Sequence, residues 1–394
     1  MFLGLDKDKS VQLVLVCLSQ FLFSCSFNMP IPELPDYLTA MGGQQYIGLI
    51  ISLFTLMAGL SRPFSGKMAD TLGRIPVMIF GALVCVVCSL LYPLLISIAG
   101  FLLLRFFHGL STGFLPTGAT TYVADIIPLG HRGQAMGILG LSSSLGLAVG
   151  PALGSWITNL YGLDYMFYLS SFCAVLSIVL ALRIKESLPE KHKFHWRMLQ
   201  MSRKELFEPR VMAPSIVTFL LYAAYGAALT LVPYVSLGAG LHNKGIFFTC
   251  FTLGSVGVRV LAGRVPDQYG RVQTLKAASA IMFLSMLVIA LTHSSFVLLA
   301  AAAIYGIATG LFTPSVAAWT VDLAEKKYRG RALGTMYIAM EAGIGLGALS
   351  SGWLFSAAKR DSTFAFVTMA LLALLALLYL QWILPWTTKR AKAH

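Results

Sequence analysis

Twelve stretches of about twenty apolar residues follow one another along this chain, and that succession restricts the fold more than any single motif. They lie at 11–37, 44–65, 75–95, 98–122, 133–157, 164–184, 211–235, 244–263, 273–292, 295–321, 331–355 and 362–385. A bilayer's hydrocarbon core is about 30 Å thick and a helix rises about 1.5 Å per residue, so roughly 20 apolar residues cross it. Composition agrees: 11% of residues are charged and 57% hydrophobic, with a mean hydropathy of +0.77, whereas soluble domains carry roughly 25% charged residues. The first stretch is long enough to span and lacks a small-residue cleavage site, so it reads as a span rather than a removed signal. The expected fold is an all-α polytopic membrane protein.

The net charge of +13 needs no nucleic-acid partner. With the N-terminus inside, 25 of the 29 Lys and Arg residues fall on the cytoplasmic side, while Lys244, Lys359 and Arg360 fall outside and Arg105 lies within a span. Such a bias sets membrane orientation, and it predicts a multi-pass protein of the cytoplasmic membrane with both termini in the cytoplasm. All six cysteines sit in predicted spans. Cys85-x-x-Cys88 lacks a second ligand pair, so packing is expected there and no metal.

A framework of Arg62, Gly66, Asp70, Gly73 and Arg74 returns 197 residues later as Arg259, Gly263, Asp267, Gly270 and Arg271. The same shift relates Gly109 to Gly306, Asp125 to Asp322, Arg132-Gly133 to Arg329-Gly330, Gly146 and Gly150 to Gly343 and Gly347, and Trp156 to Trp353. Because 197 is half of 394, the chain divides into two parallel six-span repeats, 1–184 and 211–394. The hydrophilic stretch 185–210 reads as a cytoplasmic linker that can lay an amphipathic helix on the anionic inner leaflet.

At specific residues the chain resembles the major facilitator superfamily, whose transporters have this parallel-repeat plan. Gly66-x-x-x-Asp70-x-x-Gly73-Arg74 is similar to that family's signature between helices two and three. Asp125-x-x-Pro128-x-x-x-Arg132-Gly133 is similar to the element joining helices four and five, and Arg105 with Gly109 and Gly113 to the fourth-helix arginine motif. Gly146-x-x-x-Gly150-Pro151-x-x-Gly154-Ser155 resembles the fifth-helix signature of its proton-coupled exporters. The resemblance implies a twelve-helix drug:proton antiporter. It also implies a cytoplasmic latch formed by Arg62, Gly66, Asp70, Gly73, Arg74, Asp125 and Arg132, with Arg259, Asp267, Arg271, Asp322 and Arg329 in the second half.

Residue chemistry narrows the site. Ionisable groups inside a membrane are costly and are functional candidates. Of sixteen acids, Glu33, Asp36 and Glu341 remain once tails, linker and loops are set aside. Glu341, near the predicted midplane, is the leading proton-coupling candidate; Glu33 and Asp36, among prolines that preclude a regular turn, are further candidates for a proton or cationic cargo. Arg105 calls for a carboxylate, Glu33 or Asp36, or for anionic cargo. His108 one turn on can titrate, although a hydrogen-bonded structural role is the commoner one. Polar stripes at helical spacing suggest a cavity lined by Gln20, Ser24 and Asn28, by Thr218, Tyr222 and Tyr225, and by Tyr337.

No phosphate-binding loop, metal cluster or nucleophile triad is present in the sequence, so neither an enzyme nor a cofactor is expected and energy comes from a proton gradient. The expectation is an exporter, acting as a monomer, of a small amphipathic molecule. A physiological exporter of a sugar, siderophore or metallophore, or a non-transporting sensor or scaffold on the same fold, are the alternatives.

Overall fold

The computed structural model describes residues 6–188, 207–262, 265–325, 329–358 and 361–383. The chain is helical because, in hydrocarbon, a helix satisfies its backbone groups within one segment. The helices are α1 (Lys7–Asn28), α2 (Leu34–Ala40), α3 (Ile47–Leu72), α4 (Arg74–Leu91), α5 (Ile98–Ile126), α6 (Leu129–Tyr161), α7 (Leu163–Ala181), α8 (Met212–Gly238), α9 (Ile246–Ala262), α10 (Val265–Tyr269), α11 (Arg271–Leu291), α12 (Ser295–Leu323), α13 (Arg329–Ala357) and α14 (Thr363–Leu378). Eleven described segments are long and apolar enough to cross a membrane, and the shorter α9 is the twelfth apolar helix. The expected twelve-helix fold is met.

Two boundaries differ from the sequence expectation. The first span ends at Asn28, and after the turn through Met29, Pro30 and Pro32 the chain becomes helical again as α2, with Asp36 in its first turn. Proline removes an N–H but suits the first turn of a helix, so the prolines here interrupt without preventing the restart. Second, the polar framework from Arg62 to Thr71 is helix rather than loop. It is the last part of α3, and the direction changes only at Gly73, whose φ of +120° is accessible to glycine.

The chain forms two compact units: Met1–Tyr37 with Leu56–Met201, and Leu38–Thr55 with Ser202–His394. In the first, α1 packs on α6 and α7, and α4 on α5 and α7. The α1–α7 seam is closed by reciprocal serines: Ser19 and Ser177 donate to each other's carbonyls at 3.1 and 2.8 Å, and Ser26 and Ser170 at 2.6 and 2.8 Å. Between lipid-like surfaces, small residues and hydrogen bonds supply helix adhesion that hydrophobicity cannot.

The second unit repeats the pairing, with α8 on α13 and α12 on α9 and α11. Ile98–Ile126 and Ser295–Leu323 have bounds displaced by 197 residues at both ends, as do the starts of α4 and α11. The segment Leu38–Thr55, which holds the start of α3, groups with this unit. Ser52 Oγ donates to Gly345 O at 2.7 Å, and a Cβ on Gly352 would meet the Gly48 backbone at 2.6 Å.

Candidate functional site

At one end of the first unit, Arg74 is the hub of the expected latch. Its Nε donates to Asp125 Oδ2 at 2.9 Å, and Nη1 lies 3.1 Å from Asp70 Oδ1 while also donating to the Ala69 carbonyl. A further partner, Glu186, carries no sequence signature of this role. Gly73 offers α4 no side-chain cap, and Glu186 fills that role: Oε1 accepts from Arg74 N at 3.0 Å and Oε2 from Ile75 N at 3.2 Å. A Cβ on Gly73 would come within 2.4 Å of that carboxylate, and the φ of +120° is what ties this turn to glycine. Ser187 closes the ring by donating to Asp125 Oδ2 at 2.7 Å. Gly66 lies open on α3, and Arg62, four residues before it, has partners of its own.

The second unit copies this only in part. Arg271 Nε reaches Asp322 Oδ2 at 3.5 Å, and Ile383 stands where a counterpart of Glu186 would be. The side chains of Asp267 and Arg329 lie outside the described residues, as do Gly263 and the linker 189–206. Arg132 keeps a buried Nε with no hydrogen bond. Arg259, expected with the latch, forms no ion pair among the described residues and lies within electrostatic reach of Tyr222.

The fifth-helix run packs backbone to backbone on α1. A Cβ on Gly146 would sit 2.4 Å from Ser24 Cβ, one on Gly150 2.6 Å from Cys25 O, and one on Gly154 2.3 Å from Met29 O. Glycine at these three positions is what lets the helices meet. Pro151 lies inside α6, and the next polar residue, Ser155, donates to Glu33 Oε1 at 2.6 Å. The second unit uses Gly343 and Gly347 in the same way against Phe219 and Ala223 carbonyls, with Ala348 in place of the proline.

Arg105 is 1% exposed and His108 fully buried. Arg105 Nη1 lies 3.4 Å from both Tyr92 Oη and His108 Nδ1, Tyr92 Oη is 3.1 Å from that same Nδ1, and His108 Nε2 is 3.3 Å from Cys85 Sγ. A guanidinium only donates, so Nδ1 accepts and the ring proton sits on Nε2, facing the sulfur. Cys85 in turn contacts Ser26 Oγ at 3.1 Å, which extends one polar chain through α5, α4, α1 and α7. Tyr92 and Cys85 carry no sequence signature of this role.

Gln20, Ser24 and Asn28, expected to line a cavity, are all buried. Ser24 donates to Ser143 O and Asn28 to Ser24 O, each at 2.8 Å, which makes these two part of helix packing. Asp36 is exposed and Glu33 buried. In the second unit Thr218 is buried and spends its hydroxyl on Pro214 O. Tyr222, by contrast, organises a polar aromatic wall. Its ring lies 5.1 Å from Phe312 and 6.3 Å from Tyr225, and its hydroxyl 3.3 Å from Thr313 Oγ1. Phe251 and Tyr305 continue the wall beyond Tyr225. Glu341, 7% exposed, and Tyr337, 38% exposed, are electrostatic neighbours of Tyr222. Among the described residues no three metal-binding side chains cluster.

These features have relatives. The chain is 28% identical over 329 residues to "Multidrug resistance protein MdtG" of Enterobacter lignolyticus, covering 79% of this chain and 78% of that one. It is 25% identical over 279 residues to "Multidrug resistance protein 2" of Bacillus subtilis, covering 68% and 69%. Among solved structures, the human organic anion transporter MFSD10 (TETRAN) has a TM-score of 0.72 at 20% identity over 95% of this chain and all of that one. A POT family transporter in complex with 5-aminolevulinic acid reaches 0.80 at 13% identity, over 99% and 98%. These structural likenesses concern the fold. The model of the Major Facilitator Superfamily matches residues 16–233 and 214–394, and the chain belongs to that superfamily.

Proposed function

We propose that this transporter exports small amphipathic organic molecules in exchange for protons. The observation that carries the reading is Glu341, a carboxylate 7% exposed, set on α13 among the electrostatic neighbours of Tyr222 and Tyr225. It stands twelve residues after Arg329 on that helix, which at 1.5 Å per residue is roughly 18 Å along it. A carboxylate at such depth is costly when charged and so is suited to bind and release a proton. Aromatic rings beside it present the apolar surface that an amphipathic guest needs. The multidrug-resistance names of its relatives and the glycine-packed α6 favour efflux.

Exchange requires that proton and cargo compete, because a ligand shifts a conformational equilibrium only through differential affinity for its states. Protonation of Glu341, with Glu33 as a second proton site held by Ser155, favours the state that has released cargo. The Arg74 latch, tied to Asp70, Asp125 and Glu186, holds one end of the first unit in one of the two states. We place the protein in the cytoplasmic membrane with both termini inside and as a working monomer.

The test is cargo uptake into inverted membrane vesicles. Uncoupler-sensitive accumulation of an amphipathic dye, lost in Glu341→Gln at equal expression, is the expected result. Uptake insensitive both to the uncoupler and to that substitution overturns the reading, and no uptake of any probe favours a sensor or scaffold.

A further inference from the structure

A cavity of about 520 Å³ lies between α8, α13 and α14 of the second unit, and the proposed exchange does not use it. Along α8 its lining runs from Met212, the first residue of that helix, to Phe219 and Leu220, roughly 12 Å at 1.5 Å per residue. Half of a bilayer's hydrocarbon core is about 15 Å thick, so the cavity has the depth of one leaflet. Beyond Phe219, which lines both, a second cavity of about 360 Å³ continues past Ala223 to Trp353. Met212, Ile338 and Leu375 line the first cavity and are exposed apolar residues on membrane-spanning helices, so its opening faces hydrocarbon.

The walls suit an apolar chain. Ser215 Oγ donates to Val211 O at 2.7 Å, and Thr335 Oγ1 donates to Arg331 O at 3.0 Å while accepting from Glu208 N at 2.9 Å, so both hydroxyls are already engaged. Sites that orient an amphipathic guest carry a few convergent polar groups. An open apolar void forfeits dispersion contacts on its empty side, and hydrocarbon restores them without burying an unpaired polar group. Where α14 passes the cavity it gives way to a π turn, Tyr379–Ile383, a departure that helices show mostly at functional positions. Charge collects at the end where α8 begins. Arg210 stands between the lining residues Phe207 and Met212, paired with Glu325 and 56% exposed, and Arg331, one turn before Thr335, pairs with Glu208. Over residues 207–212 and 325–331 the cations Arg210, Lys326, Lys327, Arg329 and Arg331 outnumber Glu208 and Glu325, a bias that attracts lipid phosphate.

We infer that this cavity is a lipid site, holding one acyl chain of a phospholipid whose phosphate lies beside Arg210. The lipid belongs to the cytoplasmic leaflet in the orientation proposed above, and the site itself does not depend on that orientation. Ala339, on the cavity wall, is two residues from Glu341. Residues two apart on a helix do not face each other, so the lipid chain and the proposed proton site take different sides of α13.

The test is native mass spectrometry of the full-length protein released from nanodiscs of phosphatidylethanolamine and phosphatidylglycerol. The wild type is expected to retain one phospholipid. Ala339→Trp, which fills the cavity, is expected to lose it, and Leu284→Trp, on an exposed position of α11, to keep it. Arg210→Gln is expected to weaken retention severalfold, and added oleic acid not to displace the phospholipid. A diazirine at the end of the acyl chain supplies a second measurement on the unaltered protein, with label expected at Phe219 and its neighbours on the cavity wall. A wild type that retains no lipid, as when another part of this chain covers the cavity, overturns the inference. So do retention that survives Ala339→Trp or is equally lost in Leu284→Trp, retention indifferent to Arg210→Gln, displacement by oleic acid, and label spread evenly over the exposed helix faces. No transport is measured, so failure here is distinct from failure of the exchange reading.

Discussion

Ser155 Oγ donates a 2.6 Å hydrogen bond to Glu33 Oε1, across 122 residues of chain. Ser155 follows the last glycine of the α6 stripe, and Glu33 ends the proline-rich turn after α1, so the bond joins the packed seam of two helices to the acid at the head of one.

A hydrogen bond to a charged group contributes about 1.5–3 kcal/mol. A double-mutant cycle of Ser155→Ala and Glu33→Gln, followed by equilibrium unfolding in detergent, is expected to show coupling of that size. Additive effects would mean that the contact contributes no coupling.

Gly150→Leu is expected to separate α1 from α6, because a Cβ there would already lie 2.6 Å from Cys25 O. Overpacking typically costs about 1–3 kcal/mol, and a backbone oxygen cannot move aside as a side chain does. The variant should melt at lower temperature than Gly137→Leu, a control on the same helix where nothing lies within 4 Å of the added Cβ.

Glu186→Ala removes the acceptor of two N–H groups at the start of α4. Loss of a cap costs about 0.5–2 kcal/mol, and transport should fall together with that in Asp70→Asn while both variants insert normally. Wild-type transport by a well-expressed Glu186→Ala or Asp70→Asn protein would remove the latch role from that residue.

Arg331 donates to Glu208, outside the spans, and holds this carboxyl below its ordinary value of 4.5. A lowered folded-state pKa means that the ion pair stabilises the protein above the unfolded value. Its contribution fades as pH falls through the folded one. The melting-temperature gap between wild type and Glu208→Gln should therefore be constant near neutrality and close below about pH 4.5. A gap that widens on acidification would contradict this linkage.

Most of the architecture is local in origin and could be read from the chain. Hydropathy and length mark the spans, since the bilayer sets one thickness for all of them. The 197-residue register passes directly into helix bounds, as in Ile98–Ile126 and Ser295–Leu323. The glycine spacing of 146, 150 and 154 already implied close packing, because residues four apart share a helix face. Prolines 30, 32 and 35 do not preclude helix as their pattern suggests, because the chain turns helical again at Leu34 after α1 ends.

What tertiary structure alone decided is which polar groups meet. Equivalent arginines in the two repeats, Arg62 and Arg259, have different surroundings. Glu186 reads as one more linker charge until α4 is seen to begin against it, and Ser155 as one more small residue until Glu33 arrives. Sequence by itself determined the spans, their number and their duplication, because those depend on the solvent around each helix. Partners depend on how helices rotate and approach one another, to within the roughly 3 Å reach of a hydrogen bond, and no local pattern carries that information.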